Sequence, residues 1–333
     1  MTDSSPTPAP SRPPVGFIGL GNVGGKLAGS LLRDGIDLTV LDLDPAAVER
    51  FTADGAKAAT SPRQLAEACD VVITCLPSPR ASAAVMEDDD GLLTAWRPGS
   101  IWMEMSTTDA AEVQRLGARI AEAGGTAVDC PVSGGCHRAA TGNISIFAGC
   151  DRPTFERALP LLTLLGSDVL HTGELGSASV LKVMTNFLAT ANLVAVTEAL
   201  TTMAGLGMDL NTTFEAIRIS SGNSFVHETE SQVILNGSRD ISFTMDLVLK
   251  DIGLFQDIAE GAGVDLELNP LLIGIFSDAA ERYGPREWSS NVIRRLEDRT
   301  GLSVTAPGFP PELVDDEEER VGREVVVSRE PLA

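Results

Sequence analysis

Val15-Gly16-Phe17-Ile18-Gly19-Leu20-Gly21-Asn22-Val23-Gly24 is the stretch that decides the fold. Val15 to Ile18 is a short apolar run that reads as a buried strand. It feeds directly into a G-x-G-x-x-G loop, and the segment from Lys26 to Arg33 carries Leu27, Leu31 and Leu32 at helical spacing. In that context Gly19 permits a tight turn, Gly21 lets the backbone approach a pyrophosphate, and Gly24 lets the helix pack on the strand. Leu20, Asn22 and Val23 complete the loop, whose backbone N–H groups at the start of a helix would face phosphates. A second strand, Leu38 to Leu41, ends in Asp42, about twenty residues beyond the loop. A carboxylate there accepts hydrogen bonds from ribose hydroxyls and repels a 2′-phosphate. Leu43, Asp44 and Pro45 follow it without an arginine, so the expected cofactor is NAD rather than NADP.

Working outward, strands keep alternating with helical stretches. Val71 to Leu76 ends at Pro77, Ser100 to Met105 ends at Ser106-Thr107-Thr108, Ala127 to Cys130 leads into Pro131, and Ile144 to Ala148 and Asp168 to His171 supply two more. This pattern predicts an α/β region, a Rossmann-type doubly wound parallel sheet over residues 15–173, with ligands bound beyond the carboxyl ends of its strands. Past Gly173 the pattern becomes helical. A long apolar helix over about 176–203 carries Lys182, Asn186 and Glu198, which favours a crossing between domains or subunits over a membrane span. Breaks at Gly205, Gly222, Gly237, Gly263 and Pro270 divide the rest into an all-helical domain over 174–300. Residues 1–14, rich in Pro, Ser and Thr, read as a flexible leader, and 301–333 as an acidic tail with Asp315 to Glu319 solvated.

Composition narrows the function. At 333 residues and 43% hydrophobic the chain can bury two cores, and a net charge of −22 argues against nucleic-acid or anionic-membrane partners. Five cysteines, an odd number without C-x-x-C spacing, read as reduced thiols in a cytoplasmic protein, and three scattered histidines form no metal-ligand cluster.

Three further runs complete a site: Asp129-Cys130-Pro131-Val132-Ser133-Gly134-Gly135, the pair Lys182 and Asn186 one helical turn apart, and Lys250-Asp251 after Phe243. Together with the glycine loop, Cys75-Leu76-Pro77 and Ser106-Thr107-Thr108, they make the chain resemble the β-hydroxyacid dehydrogenase family, which includes 3-hydroxyisobutyrate dehydrogenase and tartronate semialdehyde or glyoxylate reductases. The resemblance spans about Val15 to Leu296. It implies cofactor contacts from Gly19 to Gly24 and from Asp42, Leu76, Pro77, Thr107, Lys250 and Asp251. It also implies a carboxylate grip by Ser133, Gly134 and Gly135, with Thr107 and Phe243 at the substrate. Lys182 would be the proton-transfer group and Asn186 its orienting partner, with no metal.

Chemistry makes Lys182 reasonable. Oxidising an alcohol requires a base for the hydroxyl proton, and reducing a carbonyl requires the same group as acid. An ordinary lysine, with pKa about 10.4, must be depressed by burial or nearby positive charge to serve. The expected reaction is NAD-dependent hydride transfer between nicotinamide and a small 3-hydroxyacid or its semialdehyde. An imine- or ketone-type reductase and a non-catalytic dinucleotide-binding protein on the same fold are the alternatives, against which the presence of Lys182 argues. Short-chain dehydrogenases need Tyr-x-x-x-Lys, whereas Tyr283 is followed by Gly-Pro-Arg-Glu. Four departures from the family pattern stand out: Ala178 for a glycine, Glu104 for a frequent aspartate and without expected consequence, the Cys136-His137-Arg138 segment, and the extension past Thr300. The apolar helix predicts a homodimer or homotetramer.

Overall fold

The computed structural model describes residues 13–328; the leader expected over 1–14 lies, but for its last two residues, outside them. Ten strands form one sheet: β1 (Val15–Ile18), β2 (Leu38–Leu41), β3 (Lys57–Ala58), β4 (Val71–Thr74), β5 (Ile101–Glu104), β6 (Thr126–Asp129), β7 (Val132–Ser133), β8 (Ser145–Gly149), β9 (Asp168–Gly173) and β10 (Arg323–Glu324). Their order is β10-β9-β8-β6-β5-β4-β1-β2-β3, with β7 attached to β8. All pairings are parallel except those of β8 with β6 and β7. The chain runs β1 to β3 in one direction and then returns to place β4 on the other side of β1. That reversal opens a crevice at the carboxyl ends of β1 and β4, where the Gly19 loop and the Cys75-Leu76-Pro77 turn emerge side by side.

Helices α1 (Gly24–Arg33), α2 (Pro45–Ala53), α3 (Pro62–Ala68), α4 (Pro79–Glu87), α5 (Ala110–Glu122), α6 (Gly135–Thr141) and α7 (Arg152–Leu165) accompany these strands. The pleat decides which residue meets which layer. Phe17, Ile73 and Met103 join Leu27 and Leu31 of α1 and Phe155 and Leu162 of α7, while Ile18, Val72 and Trp102 join Leu65 of α3 and Leu116 and Ile120 of α5. Gly19, at φ +97, has no room for a side chain, since a Cβ would stand 2.2 Å from the Cys75 carbonyl oxygen. A Cβ on Gly24 would stand 2.1 Å from the Gly19 carbonyl oxygen.

The second half is α8 (Ser177–Gly205), α9 (Leu210–Arg218), α10 (Phe225–Asn236), α11 (Met245–Gly261), α12 (Leu268–Tyr283) and α13 (Arg294–Thr300). Pro270, read above as a break, falls in the first turn of α12, where its missing N–H goes unused. At 29 residues α8 is long and apolar enough to cross a bilayer by length and composition. Here it is the spine of the helical domain, with Leu193, Val196 and Leu200 packed against Phe214, Ile234, Val248 and Phe276.

Residues 329–333 lie outside the described residues; over 301–328 the reading as a solvated tail is corrected by the structure. Val304 is fully buried, Phe309 packs edge-on against Phe214 at 5.1 Å, and β10 extends the sheet beside β9. Asp315 accepts from Asn143 Nδ2 at 2.8 Å, and Glu324 pairs with Arg152 at 2.5 Å. Asp315 and Glu317 are bound because their partners Asn143 and Arg138 lie more than 170 residues upstream, a separation at which composition carries no signal, while Asp316, Glu318 and Glu319 stay exposed.

Candidate active site

Five of the helices covering the sheet are capped by a side chain: Asp44, Ser61, Ser78, Asp109 and Asp151 each accept a first-turn N–H. Two are not. Helix α1 follows the glycine loop, and α6 begins at Gly134 of the Ser133-Gly134-Gly135 run. The N-terminal N–H groups and positive dipole end of α1 thus remain for an anion. Around a Cβ built on Gly21 there is nothing within 4 Å, so the chain leaves open the space that a pyrophosphate would take. Asp42 Oδ2 accepts from Leu20 N at 2.5 Å and Oδ1 from Asp44 N at 2.8 Å, which fixes a carboxylate at the rim of that cradle. These residues fit a dinucleotide.

The turns after β4 and β5 are joined. Ser106 Oγ accepts from Leu76 N at 2.7 Å, and its own hydroxyl donates to Glu104 Oε1, as does Ser106 N at 2.9 Å. Glu104, fully buried, also accepts from Ser82 Oγ at 2.6 Å. Burial pushes its carboxyl pKa up, against the opposing donors of Ser106 and Ser82. The Glu104 carboxyl therefore organises both turns, a role that the comparison of Glu with the frequent Asp did not address. Pro77 beside Leu76 is exposed.

Across the crevice the helical domain reaches back. Lys250 Nζ donates to the Thr107 carbonyl at 2.5 Å, and Asn22 Nδ2 donates to the Ser242 carbonyl at 3.2 Å. Ser242 has φ 58, a left-handed backbone that a non-glycine residue adopts at a cost, directly before half-buried Phe243.

Lys182 lies between the two halves. It is 7% exposed, and its Nζ donates to Asn186 Oδ1 at 2.7 Å; Asn186 Nδ2 in turn donates to Asp251 Oδ2 at 2.5 Å. Asp251 Oδ1 pairs with Lys250 at 3.1 Å. Burial lowers the Lys182 pKa to about 8; Asp251 opposes the shift and Lys250 adds to it. The amine can therefore gain or lose a proton near neutral pH.

The helix bearing Lys182 has no capping residue of its own, since Gly176 precedes it. Asp129, at the end of β6, supplies the cap: its Oδ2 accepts from Ser179 N and its Oδ1 from Ser179 Oγ, both at 2.7 Å. Burial raises the Asp129 pKa to about 6 in spite of the Ser179 donors. One carboxylate thus ties the start of the Asp129–Gly135 run to the turn preceding Lys182. Sequence reasoning had missed the pairing of Asp129 with Ser179 and the role of Glu104. Its only trace was an uncapped helix start at a Gly-Ser pair.

The crevice and its buried amine define a dinucleotide-dependent dehydrogenase. The NAD binding domain of 6-phosphogluconate dehydrogenase matches residues 14–173, and the NAD-binding domain of NADP-dependent 3-hydroxyisobutyrate dehydrogenase matches 176–296. The chain is 33% identical over 292 residues to 2-(hydroxymethyl)glutarate dehydrogenase of Eubacterium barkeri, covering 87% of itself and 97% of that relative. It is 33% identical over 294 residues to NAD-dependent L-serine dehydrogenase of Pseudomonas aeruginosa, covering 86% and 98%. A crystal structure of 3-hydroxyisobutyrate dehydrogenase from Salmonella typhimurium superposes with a TM-score of 0.78 at 30% identity, covering 84% and 99%. The chain belongs to the β-hydroxyacid dehydrogenase family, oxidoreductases that act on hydroxyacids with a nicotinamide cofactor.

Proposed function

We propose that the protein oxidises a 3-hydroxyacid to its semialdehyde with NAD, or reduces the semialdehyde, with Lys182 as the proton-transfer group. The observation that carries this reading is the buried Lys182 amine, brought into a neutral titration range and aimed by Asn186. A nicotinamide dinucleotide held by the Gly19–Gly24 loop and Asp42 would supply the hydride acceptor for alcohol oxidation. Lys182 Nζ takes the hydroxyl proton as the C=O bond forms, and returns it in the reverse direction. Asn186 holds the amine with its carbonyl oxygen while Asp251 holds the Asn186 amide. Ser133 Oγ and the Gly134 and Gly135 N–H groups grip the substrate carboxylate at the uncapped start of α6.

The relatives' substrates narrow the class. 2-(Hydroxymethyl)glutarate, L-serine and 3-hydroxyisobutyrate each carry a hydroxymethyl group on the carbon that bears a carboxylate. A 3-hydroxypropanoate substituted at C2 is therefore the proposed substrate. NAD preference rests on Asp42, whose carboxylate at the rim of the cradle would meet a 2′-phosphate with like charge. The deciding experiment follows NADH formation with a panel of C2-substituted 3-hydroxypropanoates beside 2-hydroxyacids and secondary alcohols, then repeats the best substrate with NADP. Turnover confined to the first group, with kcat/KM higher for NAD, is the expected result. Preference for the other alcohols, or equal use of NADP, overturns the corresponding part.

A further inference from the structure

Residues 301–328 lie beyond both regions of family similarity, the second of which ends at 296. The relatives are matched over 97% to 99% of their own length by 84% to 87% of this chain. It is a strap across the two domains. On the helical side Ala306 N donates to the Leu235 carbonyl at 2.8 Å and Asn236 Nδ2 to the Phe309 carbonyl at 2.7 Å. On the sheet side Asp315 accepts from Thr141 Oγ1 and from Asn143 Nδ2, Arg320 N donates to Asn143 Oδ1 at 2.9 Å, and Glu317 pairs with Arg138 at 3.1 Å.

Every one of these sheet-side partners belongs to α6 or to the turn after it, and α6 begins at Gly134 and Gly135. Arg138 reaches from there in two directions. Its stem lies over Gly134, where a Cβ would stand 3.3 Å from Arg138 Cδ. Its guanidinium lies 4.9 Å from the ring centre of Phe225, at the start of α10 in the other domain, with His137 stacked on the same ring at 6.4 Å.

We propose that the strap is a positioning device for substrate: Asp315 and Glu317 fix α6 so that Arg138 holds Gly134 against Phe225, closing the substrate side of the crevice before substrate enters. The inference rests on Ser133 to Gly135 being the carboxylate grip. Arg138 acts through Gly134 and does not itself bind the substrate. Ordering that is already in place is not drawn from binding energy, so loosening it raises KM more than it lowers kcat.

The test is the double variant Asp315→Asn with Glu317→Gln in the full chain, since removing the strap would also strip Val304 and Phe309 from the core. In a variant that retains the wild-type circular dichroism spectrum, the hydroxyacid KM is expected to rise about tenfold, with kcat within about twofold and NADH affinity unchanged. Amide hydrogen exchange over residues 135–143 is expected to accelerate. Arg138→Ala should reproduce the KM effect, and Arg138→Lys, which keeps the charge opposite Glu317 but loses the planar contact with Phe225, should recover part of it. Ser133→Ala separates the two readings. If it leaves KM unchanged, the carboxylate grip fails and this proposal with it. If it raises KM while either KM or exchange stands still in the double variant, the strap alone is overturned.

Discussion

Lys182 is where burial and chemistry meet. A pKa near 8 means that the neutral amine needed to accept a proton gains population as pH rises through 8, while the ammonium needed to donate one is lost. The kcat for alcohol oxidation should therefore rise through a single ionisation near pH 8 and level off, and kcat for aldehyde reduction should fall over the same range. A flat profile in both directions would remove the lysine from the proton path. Lys182→Ala is expected to lower kcat by about 10²–10⁴-fold while NADH affinity holds, because the amine lies apart from the glycine loop and Asp42. Lys182→Arg should fail equally, since a guanidinium keeps its proton. Retention of more than about a tenth of wild-type kcat by Lys182→Ala would point instead to Lys250. Lys182 and Asn186 were legible as candidates from residue type and helical spacing, and Lys250 through the family resemblance. That Asp251 closes the chain of hydrogen bonds through Asn186 was not, because it joins helices 65 residues apart.

Among the elements, α8 depends most on a residue outside itself. Because Asp129 caps it through both the N–H and the hydroxyl of Ser179, the capping strength and the placement of Lys182 are coupled. Asp129→Ala leaves a buried N–H unpaired and should destabilise the protein by about 1–3 kcal/mol, with kcat reduced. Asp129→Asn keeps an oxygen for Ser179 N, and its amide can donate to the Ser179 hydroxyl, so it should cost far less. Thermal unfolding of the two variants side by side checks this, and equal losses would show that the cap is not the point. The longer strand positions were readable because each carries a short apolar core, such as Val15 to Ile18 or Val71 to Ile73, between helical stretches. Short β3, β7 and β10 were not, since two residues of pairing leave no periodicity.

At the scale of the molecule, the helical domain exposes Val180 and Leu188 along α8 and Leu268 and Leu271 on α12. Exposed apolar side chains on these two helices favour a second copy as their cover. We expect a homodimer or homotetramer by light scattering at micromolar concentration; a monomer would set that expectation aside. The sequence by itself determined the order of the longer elements, the glycine loop and the Lys182–Asn186 pair, because periodicity, glycine spacing and residue chemistry are local properties. Tertiary structure decided that Glu104 unites two turns, that Asp129 caps α8, and that residues 301–328 form a strap in which Asp315 and Glu317 are bound. Those outcomes depend on which donors and cations face a carboxylate once the chain is packed, and burial and distant partners are set only by the fold as a whole.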